Sequence, residues 1–258
     1  VIVRSSLALG FTSLLMIVAD VIERLVITPF VLLIPPSRTW VLTTWIKIMA
    51  WITTRPFSFL GGSAIPRPDS IVPTRPGVLV LMNHQSLFDI PLVIQTVANG
   101  YPRIVSRAYY AQRYIPVISH MLKLYQFPLV DPTARRSELG KSLDDLEMLV
   151  RNSDIPIAVF PEGTRTKDGE IGRFKTGALN RILAVRPWTV YVYVVDGFWA
   201  AAKYKDVLRE LPNVSGKMEH AGTLEWSNPE TDPRTFVEEV REMMVARLRV
   251  MRDEKTVA

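Results

Sequence analysis

The hydrophobic and polar positions divide this chain into two parts with different rhythms. In the first part the apolar residues run on without alternation. Residues 5–19, SSLALGFTSLLMIVA, and 25–36, LVITPFVLLIPP, are uncharged and mostly apolar, and Asp20, Glu23 and Arg24 lie between them. Neither run reaches the ~20 apolar residues of a clean spanning helix, while one helix over 5–35 would be ~45 Å long, more than the hydrocarbon core. The pattern predicts a membrane-embedded hairpin or one tilted span, broken at Pro29 or at Pro35-Pro36, where a helix loses its donor. A third stretch, 39-TWVLTTWIKIMAWITTRPF-57, sets Trp40, Trp45 and Trp51 among only two charges, Lys47 and Arg55, a composition suited to the headgroup boundary. Arg4 before the runs, and Arg38, Lys47 and Arg55 after them, predict both ends on the cytoplasmic side. A cleaved signal peptide ending before Asp20 competes with this reading, but a second apolar stretch follows it at once.

The second rhythm begins after 61-GGSAIPRPDSIVPTRPG-77, which reads as a linker or a loop leading onto a strand. Short β-branched runs at 78–82, 103–106, 127–130, 155–160 and 190–195 then alternate with helical patterns at 89–98, 112–125, 136–152 and 175–185. This alternation predicts an α/β domain, a largely parallel or mixed central sheet flanked by helices and preceded by N-terminal membrane-associated helices. The expected division is a membrane-associated segment over 1–57 and an α/β domain over 58–258. Residues 234–254 place Phe236, Val240, Met243, Met244, Leu248 and Met251 at helical spacing, the pattern of a helix packed on the domain.

Composition narrows the chemistry. The chain has no Cys, which excludes a disulfide scaffold, a thiol nucleophile and a thiolate metal site. A net charge of +6 without a polybasic run suits an anionic membrane surface or a phosphorylated substrate as well as it suits nucleic acid; of these, no nucleic acid partner is expected.

Two stretches carry candidate chemistry. In 81-LMNHQSLFD-89 an apolar strand runs straight into His84, with Asp89 five residues on. A neutral imidazole takes a proton near neutral pH and needs a partner to fix its tautomer. On one continuous helix the two residues would be about 140° out of phase at ~100° per residue. They converge only if His84 lies in the turn before the helix and Asp89 in its first turn. Without that geometry His84 is a turn residue and Asp89 a helix-start acid. His120 and His220 lack such a setting and read as structural or surface groups. The second stretch, 160-FPEGTRT-166, follows the run IPIAVF; Gly163 permits a tight turn, and Arg165 has the fork that grips a phosphate. Downstream, 172-GRFKTGA-178 adds Arg173 and Lys175. As a charge pattern alone this is equally a solvated loop.

Together, NHQSLFD and FPEGTRT resemble two blocks of the glycerolipid acyltransferase family that includes the 1-acyl-glycerol-3-phosphate acyltransferases, in that family's order and behind an apolar front. The resemblance implies that His84 is a general base on a lysolipid hydroxyl and that Asp89 orients it. It implies acceptor binding by Glu162, Gly163, Thr164 and Arg165, with Lys175 nearby. Acyl-CoA or an acyl carrier protein would be the donor, with no cofactor, no metal and no acyl-enzyme. N–H donors for the thioester oxygen are expected near the His84 turn. A membrane lipid would be the acceptor, most simply 1-acyl-glycerol-3-phosphate, at the cytoplasmic face of an inner or plasma membrane. Two blocks depart from the family. In 127-FPLVDPTARR-136, Pro132 takes an Arg position, for which Arg135 or Arg136 is the substitute, and in 187-PWTVYVYVV-195 only the first of two prolines is kept. These departures leave open another lysolipid acceptor. A thioester or ester hydrolase and a non-catalytic membrane-binding protein are the other readings.

Overall fold

The computed structural model describes residues 2–201 and 204–257; residues 1, 202, 203 and 258 lie outside it. The polypeptide opens with α1 (Ile2–Ile22), a π-helical turn (Glu23–Ile27) and α2 (Thr28–Leu33). Pro29 sits in the first turn of α2, directly after the π turn, and the chain stays helical through it. The break comes at Ile34 and Pro35-Pro36, after which α3 (Arg38–Ile52) returns and the short α4 (Arg55–Phe59) follows. A helical hairpin turning at Pro35-Pro36 is therefore formed. Among the described residues no helix is long and apolar enough to cross a membrane, so the single tilted span is not.

The hairpin's packing is inverted relative to a soluble helix. The residues of α1 that face inward are small or polar, Ser5, Ala8, Thr12, Ala19 and Asp20, while Leu7, Phe11, Leu14 and Ile17 are exposed. The polar break between the two apolar runs also faces inward. Glu23 is fully buried, accepting Trp45 Nε1–H at 2.8 Å with its other oxygen 2.9 Å from His120 Nδ1. Asp20 accepts the Val117 N–H at 2.8 Å and the Tyr114 hydroxyl at 2.9 Å. The charges between the runs thus join the hairpin to the body of the protein.

That body is built on a mixed sheet in the order β2-β5-β1-β6-β7. Its strands are β1 (Val78–Met82), β2 (Arg103–Ile104), β5 (Ile157–Val159), β6 (Trp188–Asp196) and β7 (Lys217–Trp226), and β3 (Ser106–Arg107) pairs separately with β4 (Leu129–Val130). All pairings are parallel except β6 with β7. The period of two along β1 sends Val78, Val80 and Met82 to one face and Leu79 and Leu81 to the other. The first face packs against α3, α5 (Asp89–Thr96) and α7 (Ile118–Leu124); the second against α8 (Arg136–Arg151), α9 (Thr176–Leu183) and α11 (Arg234–Val257). The chain from β6 to β7 passes through α10 (Tyr204–Glu210).

The structure changes one local expectation, bears out another and adds a strand. The helix expected over 112–125 is split into α6 (Ala108–Gln112) and α7, because Pro116 intervenes and Val117 takes φ of +64°. The segment 61–77 is a loop laid on the body, with Ile65 and Val72 buried and bridges from Ala64 to Ser215 and from Val72 to Val97. The strand β7 was not expected: its polar residues Lys217, Glu219, His220 and Glu225 hide an edge strand.

Candidate active site

Strand β1 ends at Met82, and the next three side chains are each committed to a different task. Asn83 exchanges two hydrogen bonds with the backbone of Val195, at 2.9 and 2.8 Å, and ties the strand end to β6. Gln85 is fully buried and accepts the Phe198 N–H at 3.0 Å. His84 between them remains partly accessible, its side chain 16% exposed. Helix α5 starts at Asp89 itself, so His84 lies in the preceding turn and the 140° phase problem of a continuous helix does not arise. His84 Nδ1 lies 2.7 Å from Asp89 Oδ2. The same oxygen accepts the N–H groups of Gln85 at 2.6 Å and Ser86 at 2.7 Å. With its N–H donated to a buried carboxylate at Nδ1, the neutral ring keeps its lone pair at Nε2, the arrangement of a general base. Phe160 stacks on the imidazole with centroids 4.4 Å apart and fixes its plane.

The second stretch arrives beside the first because β5 lies next to β1. Leu81 pairs with Val159, and three residues beyond each come His84 and Glu162. Glu162 is buried and accepts the His84 N–H at 2.9 Å through one oxygen and the Gly172 N–H at 3.0 Å through the other. Burial pushes its carboxyl above the usual range, and these two hydrogen bonds act in the opposite direction. Gly163 turns with φ of +62°, a left-handed conformation natural to glycine, and its carbonyl accepts Arg107 Nη2–H at 2.8 Å. The crossing is closed by Thr166 N–H, which donates to His84 O at 2.8 Å.

A cavity of about 440 Å³ opens at this crossing. Its wall is chiefly apolar, from α7 (Ile118, Met121, Leu122) and α8 (Leu139, Leu143), with His84 and Phe160 in the lining. Arg107, Arg165 and Lys175 also line it, with Gly163 and Thr164. The sheet edge therefore presents an imidazole base, a long apolar wall and three cationic side chains to one volume.

The Acyltransferase family model matches residues 67–195, half of the chain. The chain belongs to the Acyltransferase family. The matched region holds His84, Asp89, Glu162, Arg165 and Lys175 together, while the hairpin and α11 lie outside it. Among curated relatives, the chain is 34% identical to a probable 1-acyl-sn-glycerol-3-phosphate acyltransferase of Mycoplasma genitalium, over 43% of this chain and 41% of that protein. It is 31% identical to the chloroplastic 1-acyl-sn-glycerol-3-phosphate acyltransferase of Arabidopsis thaliana, over 58% of this chain and 40% of that protein. The chain thus spans about two fifths of the length of these relatives. Its fold is shared with the crystal structure of the 1-acyl-sn-glycerophosphate acyltransferase PlsC from Thermotoga maritima. The TM-score is 0.60 at 22% identity, covering 92% of this chain and 96% of that chain.

Within this family framework the structure sorts the residues singled out in the sequence. His84, Gly163, Thr164, Arg165 and Lys175 meet at the cavity, and Asp89 stands behind His84. Glu162 stands behind the turn, with both oxygens spent on backbone N–H groups. Arg135 is exposed just before α8 and is not part of the cavity lining. Of the N–H groups in the His84 turn, those of His84, Gln85, Ser86 and Phe88 donate to side chains of the protein. Arg107 and Phe160 were missed. Only their places at the ends of β3 and β5 could have signalled them. Among the described residues no group of three or more His, Asp or Glu side chains is arranged to hold a metal.

Proposed function

We propose that this member of the Acyltransferase family is a membrane-bound O-acyltransferase that moves a fatty acyl group from a thioester to a lysophospholipid, most simply 1-acyl-glycerol-3-phosphate to give phosphatidic acid. The observation that carries the reading is the His84–Asp89 pair set in the wall of an apolar cavity that also bears three cations. In the reaction, Nε2 of His84 takes the proton of the acceptor's free hydroxyl as its oxygen attacks the thioester carbonyl carbon. The tetrahedral intermediate collapses, the carbon–sulfur bond breaks, and the leaving thiolate takes the proton back from the imidazolium. Asp89 holds the ring and stabilises its positive charge. The apolar wall holds an acyl chain, while Arg107, Arg165 and Lys175 meet the acceptor phosphate and the charge developing on the thioester oxygen. The donor is acyl-CoA or an acyl carrier protein, and no metal or cofactor is used.

Residues 1–57 are assigned to membrane docking and 58–258 to the acyltransferase domain. The exposed apolar face of the hairpin supports docking, because a continuous patch of Leu7, Phe11, Leu14 and Ile17 with Leu25 and Leu33 is costly in water. The hairpin would lie in the headgroup and acyl boundary of the cytoplasmic leaflet of an inner or plasma membrane, where acceptor and product both reside. An anionic surface there would suit the net charge of +6.

The test uses the protein in micelles with labelled acyl-CoA or acyl carrier protein and a panel of lysolipids. Transfer to lysophosphatidic acid that disappears in His84→Ala supports the reading. Transfer only to another lysolipid moves the acceptor, free fatty acid formed without any acceptor makes the protein a hydrolase, and no reaction with either donor overturns the catalytic reading.

A further inference from the structure

The segment Thr164–Arg173, which carries Arg165, contains no regular element, yet its backbone is held from both ends of the chain. Besides the bond from Thr166 to His84 and the bond from Gly172 to Glu162, the Gly169 carbonyl accepts two side chains. Gln85 Nε2–H reaches it at 3.2 Å and Arg252 Nη2–H at 2.9 Å. Arg241 Nε–H donates to the Gly172 carbonyl at 3.3 Å. Arg241 and Arg252 are eleven residues apart on α11, which at ~100° per residue falls within about 20° of three whole turns, so both point from one face of the helix.

Arg252 is itself aimed. Asp196, the last residue of β6, accepts its Nη2–H at 3.2 Å on one oxygen and its Nε–H at 3.3 Å on the other, the fork geometry of a carboxylate and a guanidinium. Gln85 donates to the same Asp196 at 3.2 Å, and Glu170 also pairs with Arg252. Gly169 has φ of +88°, and a Cβ there would stand 2.8 Å from the Trp199 ring and 3.0 Å from Arg252 Nη2. The loop backbone is thus pressed against the arginine. Asp196 and both arginines lie beyond residues 67–195, the part of the chain the family model matches.

We propose that Arg252 is a positioning residue for acceptor binding: from α11 it holds Gly169, and with it the loop that presents Arg165 at the cavity. The inference rests on the reading of Arg165 as a phosphate contact. A loop that drifts by an ångström weakens the grip on the acceptor, while His84, though also bonded to the loop at Thr166, keeps its place through the Asn83–Val195 tie and the bonds to Asp89.

Arg252→Met is measured against wild type by acyl transfer and by amide hydrogen exchange. The expected result is a rise of about tenfold in the acceptor KM, with kcat and the donor KM within about twofold. Exchange should accelerate in 164–173 and stay unchanged in β1 and α5. Arg252→Lys should restore part of the acceptor KM. Loss of kcat together with both KM values, with exchange rising throughout, would make Arg252 merely structural and overturn the proposal, as would an unchanged loop. Asp196→Asn, which keeps the side-chain size and removes one of the two oxygens, tests the same tie should Arg252→Met not fold. If wild type transfers to no lysolipid but the loop still loosens in the variant, the tie stands and the acyltransferase reading falls.

Discussion

Glu162 accepts the backbone N–H of His84 at 2.9 Å across a separation of 78 residues, so a single buried carboxylate joins the two stretches that meet at the cavity. Its second oxygen accepts the Gly172 N–H, so each oxygen holds one backbone group of the two stretches. Glu162 thus arranges the backbone on both sides of the crossing.

Glu162→Gln should show this directly. One end of the amide accepts a hydrogen bond as before, while its NH₂ faces an N–H donor. A loss of about 1–3 kcal/mol is expected for a buried donor left unmet, read by urea unfolding. A variant as stable and as active as wild type would remove the bridging role.

His84→Ala should lower turnover by on the order of 10²–10⁴, the usual range for a general base, without lowering the melting temperature by more than a few degrees. Asp89→Asn should lose a similar amount by a different route. With its carbonyl in the place of Oδ2 the amide still accepts from the His84 ring, Gln85 and Ser86, but it has no negative charge to stabilise the imidazolium that forms, and its NH₂ is buried at the Oδ1 position without a partner. Equal activity of Asp89→Asn and wild type would sink the pairing.

The apolar wall predicts chain-length control. Leu143→Trp narrows the 440 Å³ cavity and should shift preference toward shorter acyl thioesters, with turnover on the best short donor retained. A panel of donors of graded length reads this; an unchanged preference would place the acyl chain elsewhere.

Docking by the hairpin is best tested by point changes. Removing residues 1–57 would strip Leu42, Ile46 and Met49 from a buried cluster they share with α5 and α7, and the remainder would be damaged for that reason alone. The paired change Leu14→Glu and Leu25→Glu alters only exposed positions. Each leucine kept in water forfeits about 1.5–3 kcal/mol of burial. Vesicle flotation should therefore fall at least tenfold; undiminished flotation would exclude this face.

Lys47 gives a pH-dependent signature. Its ammonium donates to the carbonyls of Ile94 and Val97 at 3.0 and 2.6 Å, at the C-terminal end of the helix that begins with Asp89. Burial pushes its pKa down to about 8 from the usual 10.5. The folded state then binds fewer protons than the unfolded state between these values, so folding stability contributed by this group rises as pH climbs from 8 to 10.5. Wild type should gain on Lys47→Met over that interval in chemical denaturation. A pH-independent difference would contradict the shift.

Much of this arrangement was legible in local pattern. The run VLVLM is β1, residue for residue, and the runs 155–160 and 190–195 contain β5 and the heart of β6. Apolar β-branched residues between turn signals have few other places to go. The demand that His84 precede the helix and Asp89 begin it followed from helical phase alone and matches the start of α5. What packing decided lies between residues far apart in the chain. Periodicity reports neighbours one or two turns away and is silent on register between strands, so nothing in FPEGTRT marked Glu162 as the partner of the His84 backbone. Nor did the amphipathic pattern of α11 mark Arg252 as the partner of Gly169. The hairpin shows the same limit from the other side. The sequence determined that residues 5–19 and 25–36 are apolar and that a break falls at Pro29 or at Pro35-Pro36, but apolarity has no direction. Only the tertiary structure turned the small residues and the buried carboxylates inward, because they alone allow close helix packing and find hydrogen-bond partners there, and left the large apolar side chains outside.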